Sequence, residues 1–371
     1  MKKVLITGSN GFIGKNLIEG LRRSQDVKIK TFDRADDLND LAEHLKDADF
    51  VFHLAGVNRP ENLEEFETGN VGITQTIFEI LDGLGRNVPI VFSSSIQAAL
   101  ENPYGISKKK AEDILIEYSR KNDAKVYIYR FPNVFGKWCR PNYNSVVATF
   151  CHNISHGLDI AISDVNKELE LVYIDDVVNE FLNIISQEAE DKEEFYRKIE
   201  RTFKTTLGEL AEKIYQIKDV RKTMVVPDLS DNFVKCLYAT YLSYLEKDDF
   251  SYKLDLKTDQ RGSLAELIRS KHFGQIFVST SHKGIIRGNH YHNTKIEKFC
   301  VLKGKAVIKF RHIFKDEVLT YHVSGDHFEF VDIPPGYSHS IENLGDEEMI
   351  VLFWANQIFD PERTDTYYCK V

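Results

Sequence analysis

Tyr104-Gly105-Ile106-Ser107-Lys108 places a phenol and an ammonium four residues apart, on one face of any helix that starts there. Such a pair suits proton donation to an alkoxide. A nearby cation favours phenolate and is expected to lower the tyrosine pKa toward working pH. Ser93-Ser94-Ser95 lies just upstream, with hydroxyls able to hydrogen-bond a substrate carbonyl. Near the start of the chain, Gly8-Ser9-Asn10-Gly11-Phe12-Ile13-Gly14 has glycine where a backbone must turn tightly and approach a pyrophosphate. Asp33 follows about twenty residues on, where an acidic residue meets a ribose diol, while the adjacent Arg34 suits a 2′-phosphate. The residues alone therefore leave NAD(H) and NADP(H) both open.

A second set lies far downstream. His290-x-His292 puts two imidazoles on one face of a strand, because side chains repeat every two residues. Glu297 opens the next strand, and His339 arrives after Pro334-Pro335-Gly336. Three imidazoles and a carboxylate make a full ligand set for a divalent transition metal. Zn2+ is the expected ion, since enolate chemistry asks for a Lewis acid without redox.

Two textures must position these sets. Val4–Thr7, Lys28–Asp33, Phe50–Leu54, Ile90–Ser94 and Lys125–Arg130 read as strands, and Lys15–Arg23, Leu38–His44, Glu61–Leu84 and Ser107–Lys121 as helices between them. This alternation predicts a parallel sheet covered on both faces. From Tyr252 onward, short alternating runs such as Gln275–Ser279, Glu297–Leu302, Ala306–Phe310 and Ile350–Ala355 predict an antiparallel barrel or sandwich. The charged segment Leu245–Phe250 marks the change, giving an expected division into residues 1–243 and 244–371.

Composition narrows the class. A chain of 371 residues is long for one core, and 42% hydrophobic with 28% charged residues is ordinary for a soluble cytoplasmic protein. Net charge of −9 argues against nucleic acid or an anionic membrane as a general partner. No run approaches the roughly 20 apolar residues of a membrane helix. Val4–Ile6 is too short for a secretory leader and reads as a buried strand. Cys139, Cys151, Cys236, Cys300 and Cys369 show no CxxC spacing and are expected as reduced thiols. Trp138-Cys139-Arg140 is a candidate wall of a sugar pocket, and Arg59 and Lys137 are candidate phosphate contacts. The acidic run Glu188–Glu194 reads as solvated surface.

Residues 1 to about 243 resemble the extended short-chain dehydrogenase/reductase family. The likeness rests on Thr7-Gly8-x-x-Gly11-x-x-Gly14, His53-Leu54-Ala55-Gly56, Tyr104-x-x-x-Lys108, Arg130-Phe131-Pro132-Asn133-Val134-Phe135-Gly136 and Tyr173-Ile174-Asp175-Asp176-Val177, in order. It implies a Rossmann-type doubly wound sheet. It also implies Tyr104 as acid/base, Lys108 as its electrostatic partner and nicotinamide-ribose ligand, and Ser95, in preference to Ser94, as carbonyl binder. The glycine loop with Asp33, Arg34, Leu54, Ala55 and Gly56 would hold the dinucleotide. Asn133 and Val134 would lie near the substrate diphosphate, with Arg140 lining the sugar pocket. One departure stands out: Tyr104 follows Ser95 by only nine positions, where many relatives carry a further loop.

The later residues resemble the cupin family, an all-β jelly roll. Gly284-x5-His290-x-His292-x4-Glu297-x6-Gly304 and Pro334-x-Gly336-x2-His339-x3-Asn343 match its two motifs, with Phe328 where a glycine is expected. Segments 259–266 and 284–291 also resemble sugar-nucleotide 3,5-epimerases, in which the histidine aligned with His290 is the base. The complete ligand set favours His290 as metal ligand instead, leaving Tyr337, Lys298 and His282 as nearby candidates for the base. The fusion order is similar to the two-domain enzymes of capsular polysaccharide synthesis. That likeness implies NADP(H), a homodimer, and a UDP-linked 4-keto-6-deoxy-N-acetylhexosamine epimerised at C3 and reduced at C4. In the competing reading only the reductase is catalytic, and the cupin is a structural or dimerising zinc module. A dinucleotide sensor without turnover is disfavoured, because Tyr104 and Lys108 are both present.

Overall fold

The computed structural model describes residues 1–23, 26–186 and 194–371. All of the acidic run except Glu194 therefore lies outside the described residues. Two compact units emerge, Met1–Ile214 with Cys236–Leu245, and Tyr215–Lys235 with Glu246–Val371. Residues 215–235, assigned to the first half by the sequence, group with the second. One cause is that Arg269 exchanges backbone hydrogen bonds with Met224 and Val226 at 2.7 and 2.8 Å.

In the first unit a parallel sheet runs Val27–Phe32, Lys2–Thr7, Phe50–His53, Ile90–Ser95, Val126–Phe131, Tyr196–Arg197. The sheet is apolar on both faces, which is why its strands read as continuous β-branched runs. Val4 and Ile6 enter one core with Leu17, Val177 and Phe181, while Leu5 enters the opposite core with Leu41, Ile77 and Leu115. Strand order reverses beside Lys2–Thr7, and ligands of such sheets bind beyond the strand ends at that reversal. A three-stranded sheet of Asn133–Phe135, Glu168–Tyr173 and Phe203–Thr206 lies in the same unit.

Two helices depart from expectation. The segment expected over Glu61–Leu84 starts at Glu64 and widens into a π-helix at Glu67–Gly72 before continuing as Ile73–Gly83. The helix carrying Tyr104 starts at Pro103, earlier than expected, because the Asn102 side chain accepts the Gly105 amide at 2.8 Å.

From Leu256 to Tyr368 the second unit is an all-β barrel of two antiparallel sheets. One runs Leu256–Asp259, Gly262–Ser270, Gly274–Ser281, Met349–Ala355, Glu297–Lys303, Val331–Ile333; the other runs Val318–Ser324, Lys305–His312, Tyr337–Asn343, Ile286–Tyr291, Tyr367–Tyr368. Alternate residues of both sheets, among them Phe299, Ile308, Phe310, Ile341, Val351 and Phe353, close the core. Among the described residues no helix is long and apolar enough to cross a membrane, and all five cysteines are free. Ile308 is wholly buried in this core, so Ile308→Ala should cost about 2–5 kcal/mol of stability in urea unfolding of the full chain.

Candidate functional site

The glycine loop is shaped by contact with the loop after Phe50–His53. Gly8 has φ +69°, and a Cβ there would stand 2.7 Å from the Ala55 nitrogen. At Gly14 a Cβ would meet the Gly8 carbonyl at 2.4 Å. Gly11 precedes the helix Phe12–Arg22 without any side-chain cap, so that helix end offers amides to an anion. Phe12 and Ile13 pack against the core below. The Asp33 carboxylate closes the loop by accepting the Ser9 hydroxyl and the Asn10 amide, the latter at 3.0 Å. Arg34 is exposed beside it, 3.8 Å from Glu65.

Leu54-Ala55-Gly56 is held opposite by Thr7, whose carbonyl accepts the Leu54 amide and whose hydroxyl accepts the Ala55 amide, both at 3.2 Å. His53, fully buried, bridges Thr7 and Thr74 hydroxyls at 2.8 and 2.9 Å. Burial, aided by the charge of Lys108, holds its pKa down to about 3, so it is a neutral strut.

The structure sets Ser95 beside Tyr104, places Lys108 one turn further along the same helix, and turns Ser94 away. The Ser95 hydroxyl hydrogen-bonds the Tyr104 phenol, whereas Ser94 donates to the buried Glu112 at 2.6 Å. Lys108 donates to the Ser93 carbonyl at 2.9 Å and stands over the Phe92 ring at 4.8 Å. Burial lowers its pKa to about 8, with Glu112 pulling the other way. The tyrosine moves opposite to the sequence expectation: burial raises its pKa, and only the Ser95 bond works against this. The ammonium is anchored two residues before Ser95, on the Ser93 carbonyl, and desolvation of the phenol dominates.

The short step from Ser95 to Tyr104 is a single 3-10 turn, Ile96–Ala99, packed under the helix start. A Cβ on Gly105 would lie 2.1 Å from the Gln97 carbonyl, so that turn requires glycine. Ile96, Leu100 and Ile106 are left exposed as an apolar rim. Asn70 is a residue that the sequence reading missed. It lies within the π-helical segment, bonds both backbone groups of Val57 at 2.8 and 2.9 Å, and donates to Ser107 at 2.9 Å. A Cβ on Gly56 would meet Asn70 Oδ1 at 2.9 Å and Lys108 Nζ at 3.0 Å. Helical periodicity gives no sign of such a widened turn.

Of the residues assigned to substrate, Asn133 is exposed on its edge strand and Val134 is half-buried against the core. Arg140 stacks over Tyr143 at 4.9 Å, and Arg59 approaches the same ring at 5.8 Å. Lys137 is bound to Asp175 at 2.6 Å. Arg140 and Trp138 line a cavity of about 710 Å³ with Ser9, Asn10, Lys15 and Arg22. Trp138 has φ +70°, a conformation that non-glycine residues rarely hold without a functional reason.

In the barrel, His290, His292, Glu297 and His339 each direct one donor atom into a cluster within 4.8 Å. His290 and His339 face one another across paired strands. The register shifts between Gly288 and His290, where Asn289 has φ +58°, and this bulge re-aims the strand. Glu297 comes from the opposite sheet. The Nε2 atoms of His292 and His339 are buried with no hydrogen-bond partner, lying 3.3 and 3.7 Å from Glu297 Oε2. His292 is oriented from behind, Nδ1–H donating to the Asp365 carbonyl. Burial lowers the His290 pKa and takes His339 to about 3, leaving neutral imidazoles. Burial alone would raise Glu297, yet His292, Lys295 and His339 hold it at about 2. Neutral imidazoles, an ionised carboxylate and orphaned ring nitrogens fit a divalent metal.

A cavity of about 250 Å³ opens on this cluster, walled by Phe277, Arg287, Lys295, Phe353 and Thr366. Lys295, which no spacing argument singles out, reaches Glu297 Oε1 at 3.1 Å and is nearly buried. The three candidates for a base do not line this cavity. Lys298 is paired with Asp332, His282 sits 3.6 Å from Glu348, and Tyr337 packs edge-on against His312. Phe328, in the place of the motif glycine, is exposed between strands and leaves the ligand cluster intact.

Gly14 tests the loop. Gly14→Val would drive a side chain into Gly8 and Ser9, so binding of a reduced nicotinamide dinucleotide, read by fluorescence titration, should weaken more than tenfold (about 1.4 kcal/mol). Circular dichroism should remain native.

Comparison with known proteins identifies the family. Residues 4–197 match the NAD dependent epimerase/dehydratase family, and residues 257–367 match a polysaccharide biosynthesis C-terminal domain. A UDP-2-acetamido-2,6-beta-L-arabino-hexul-4-ose reductase from Pseudomonas aeruginosa is 42% identical over 369 residues, covering 100% of this chain and 99% of the relative. The crystal structure of the capsular polysaccharide assembling protein CapF from Staphylococcus aureus superposes with TM-score 0.92 at 47% identity, covering 99% of this chain and 100% of that one. The spore coat polysaccharide biosynthesis protein SpsL of Bacillus subtilis is 28% identical over 123 residues, 30% of this chain and 82% of its own. The chain belongs to the NAD dependent epimerase/dehydratase family and, across its full length, to the two-domain CapF-type enzymes.

Proposed function

We propose that this chain is a bifunctional sugar-nucleotide enzyme. The barrel epimerises C3 of a UDP-2-acetamido-2,6-dideoxy-4-hexulose, and the first unit reduces the C4 ketone with NADPH. The product is UDP-2-acetamido-2,6-dideoxy-L-talose, on the path to UDP-N-acetyl-L-fucosamine for capsular polysaccharide. The working form is a cytoplasmic homodimer. The observation that carries this reading is the full-length likeness, at 42% identity, to a reductase named for a 4-ulose.

The buried phenol supports the reductase half. Its raised pKa keeps Tyr104 protonated at neutral pH, as a donor to the C4 oxygen must be. Ser95 steadies that phenol and is positioned to share the carbonyl, and Lys108 supplies positive charge beneath both. When bound, the nicotinamide cofactor supplies the hydride. Gly8, Gly11 and Gly14 would hold its pyrophosphate, with Lys108 on the nicotinamide ribose. NADP(H) is favoured over NAD(H) because Asp33 is already engaged by Ser9 and Asn10 while the Arg34 side chain stands exposed.

His290, His292, Glu297 and His339 would hold Zn2+ in the barrel. When bound, the metal supplies Lewis acidity toward an enolate oxygen. The C4 carbonyl acidifies the C3 hydrogen, and Lys295 adds a cation to the cavity wall. Epimerisation comes first, because reduction removes the activating ketone. A second reading keeps only the reductase active, with a structural zinc barrel. It is favoured by the presence of four protein donors, the number that would hold a metal in a closed structural site.

Tyr104→Phe should lower kcat for NADPH oxidation with the 4-ketosugar by about 10²–10⁴-fold while NADPH affinity stays unchanged. Undiminished turnover would remove Tyr104 from the chemistry. In deuterated water without NADPH, NMR should show deuterium entering C3 with the native enzyme and not with His290→Ala. No exchange with the native enzyme would favour the second reading.

A further inference from the structure

We propose that Glu112 is a positioning residue of the reductase centre, its buried carboxylate fixing the serine run against the helix that carries Tyr104 and Lys108. The inference rests on the reductase reading. Tyr104, Lys108 and Glu112 recur every four residues within Pro103–Asn122 and so share one stripe. Glu112 is wholly buried, and both oxygens are used. Oε1 accepts Ser94 at 2.6 Å and Arg130 Nε at 2.9 Å; Oε2 accepts Arg130 Nη2 at 2.6 Å and the Tyr196 hydroxyl at 3.2 Å.

Ser94 is the middle of the run. Its neighbour Ser93 gives the carbonyl that holds Lys108, and its neighbour Ser95 gives the hydroxyl that meets Tyr104. One carboxylate thus sets the acceptor of the lysine and the partner of the tyrosine together. Glu112 touches none of the reacting groups itself. It also acts through charge, since a carboxylate one turn beyond Lys108 favours the ammonium against burial. The other groups facing that ammonium are His53 on the neighbouring strand, held neutral, and the uncharged Asn70, Phe92 and Ser93.

A merely structural ion pair would change stability and leave the pH profile in place. Reduction needs cationic Lys108 and protonated Tyr104, so activity falls as pH rises through their pKa values. Removing the Glu112 charge lowers that of Lys108, and the alkaline limb moves to lower pH. The test follows NADPH oxidation with a 4-keto-6-deoxy UDP-N-acetylhexosamine between pH 6 and 10, using the full chain. For Glu112→Gln the alkaline limb of kcat should fall by about one pH unit and kcat by about tenfold, with the KM for NADPH within about twofold. Glu112→Asp should restore the limb. Ser94→Ala, which keeps the Glu112–Arg130 pair and its fold, should lower kcat without moving the limb.

An unshifted limb with native kcat in Glu112→Gln overturns the proposal. Should that variant fail to fold, Ser94→Ala decides alone, and a kcat within twofold of the native enzyme overturns it. No turnover by the native enzyme sinks the reductase reading and this proposal with it. Native turnover with indifferent variants sinks only this one.

Discussion

An ammonium group withdrawn from water must be solvated by the protein that buries it, and Lys108 imposes that requirement on the first unit. Its side chain is almost fully enclosed, and desolvation of a charge costs several kcal/mol unless oxygen and polarisable surface replace the lost hydration. The Ser93 carbonyl, the Phe92 ring face and the field of Glu112 supply that replacement. Gly56 must lack a side chain because the ammonium occupies the space, and Asn70 closes the remaining side. Four segments are therefore placed by one cation: the serine-ended strand, the loop after His53, the π-helical turn and the helix of Tyr104.

The barrel meets the opposite problem with the same physics. Three imidazoles and a carboxylate converge in a buried space, where like charges would be costly. Burial and mutual repulsion keep His339 and His290 neutral, while the Lys295 ammonium beside Glu297 favours its ionised form against burial. Orientation comes from outside the cluster. Asp365 accepts the amides of Asn293, Thr294 and Lys295, and its own carbonyl takes the His292 Nδ1 proton. The C-terminal segment thus fixes which ring nitrogen faces inward.

Much of this was legible in the chain, for physical reasons. The strands Phe50–His53 and Ile90–Ser95 are buried on both faces, so their composition announces them. The glycine loop, the Tyr104–Lys108 stripe and the cluster of His290, His292, Glu297 and His339 are readable because each obeys a fixed spacing of turn, helix or strand. Contacts between distant segments leave no such spacing. Asn70 sits in a widened helical turn, Lys295 joins the metal cavity by a bend between strands, and residues 215–235 join the second unit through backbone bonds to Arg269. The sign of the Tyr104 shift was missed for the same reason. Spacing places a cation near the phenol, but only the fold reveals that the cation is anchored on the Ser93 carbonyl and that desolvation wins.

The two sites, taken with the proposed chemistry, assign protons in complementary ways. A phenol held protonated by burial is suited to giving a proton to a carbonyl oxygen that receives hydride. Neutral imidazoles beside a carboxylate are suited to holding a cation, with a lysine ammonium left facing the cavity. Under the proposed function, a ketone substrate would use both. The carbonyl makes the adjacent carbon acidic enough for stereochemical inversion, and it is itself the group consumed by reduction. The order is then forced by bond chemistry: once the carbonyl has become an alcohol, the adjacent hydrogen is no longer acidic and the inverted centre is locked. Reduction makes the preceding equilibrium irreversible, which is a physical reason for one chain to carry both activities.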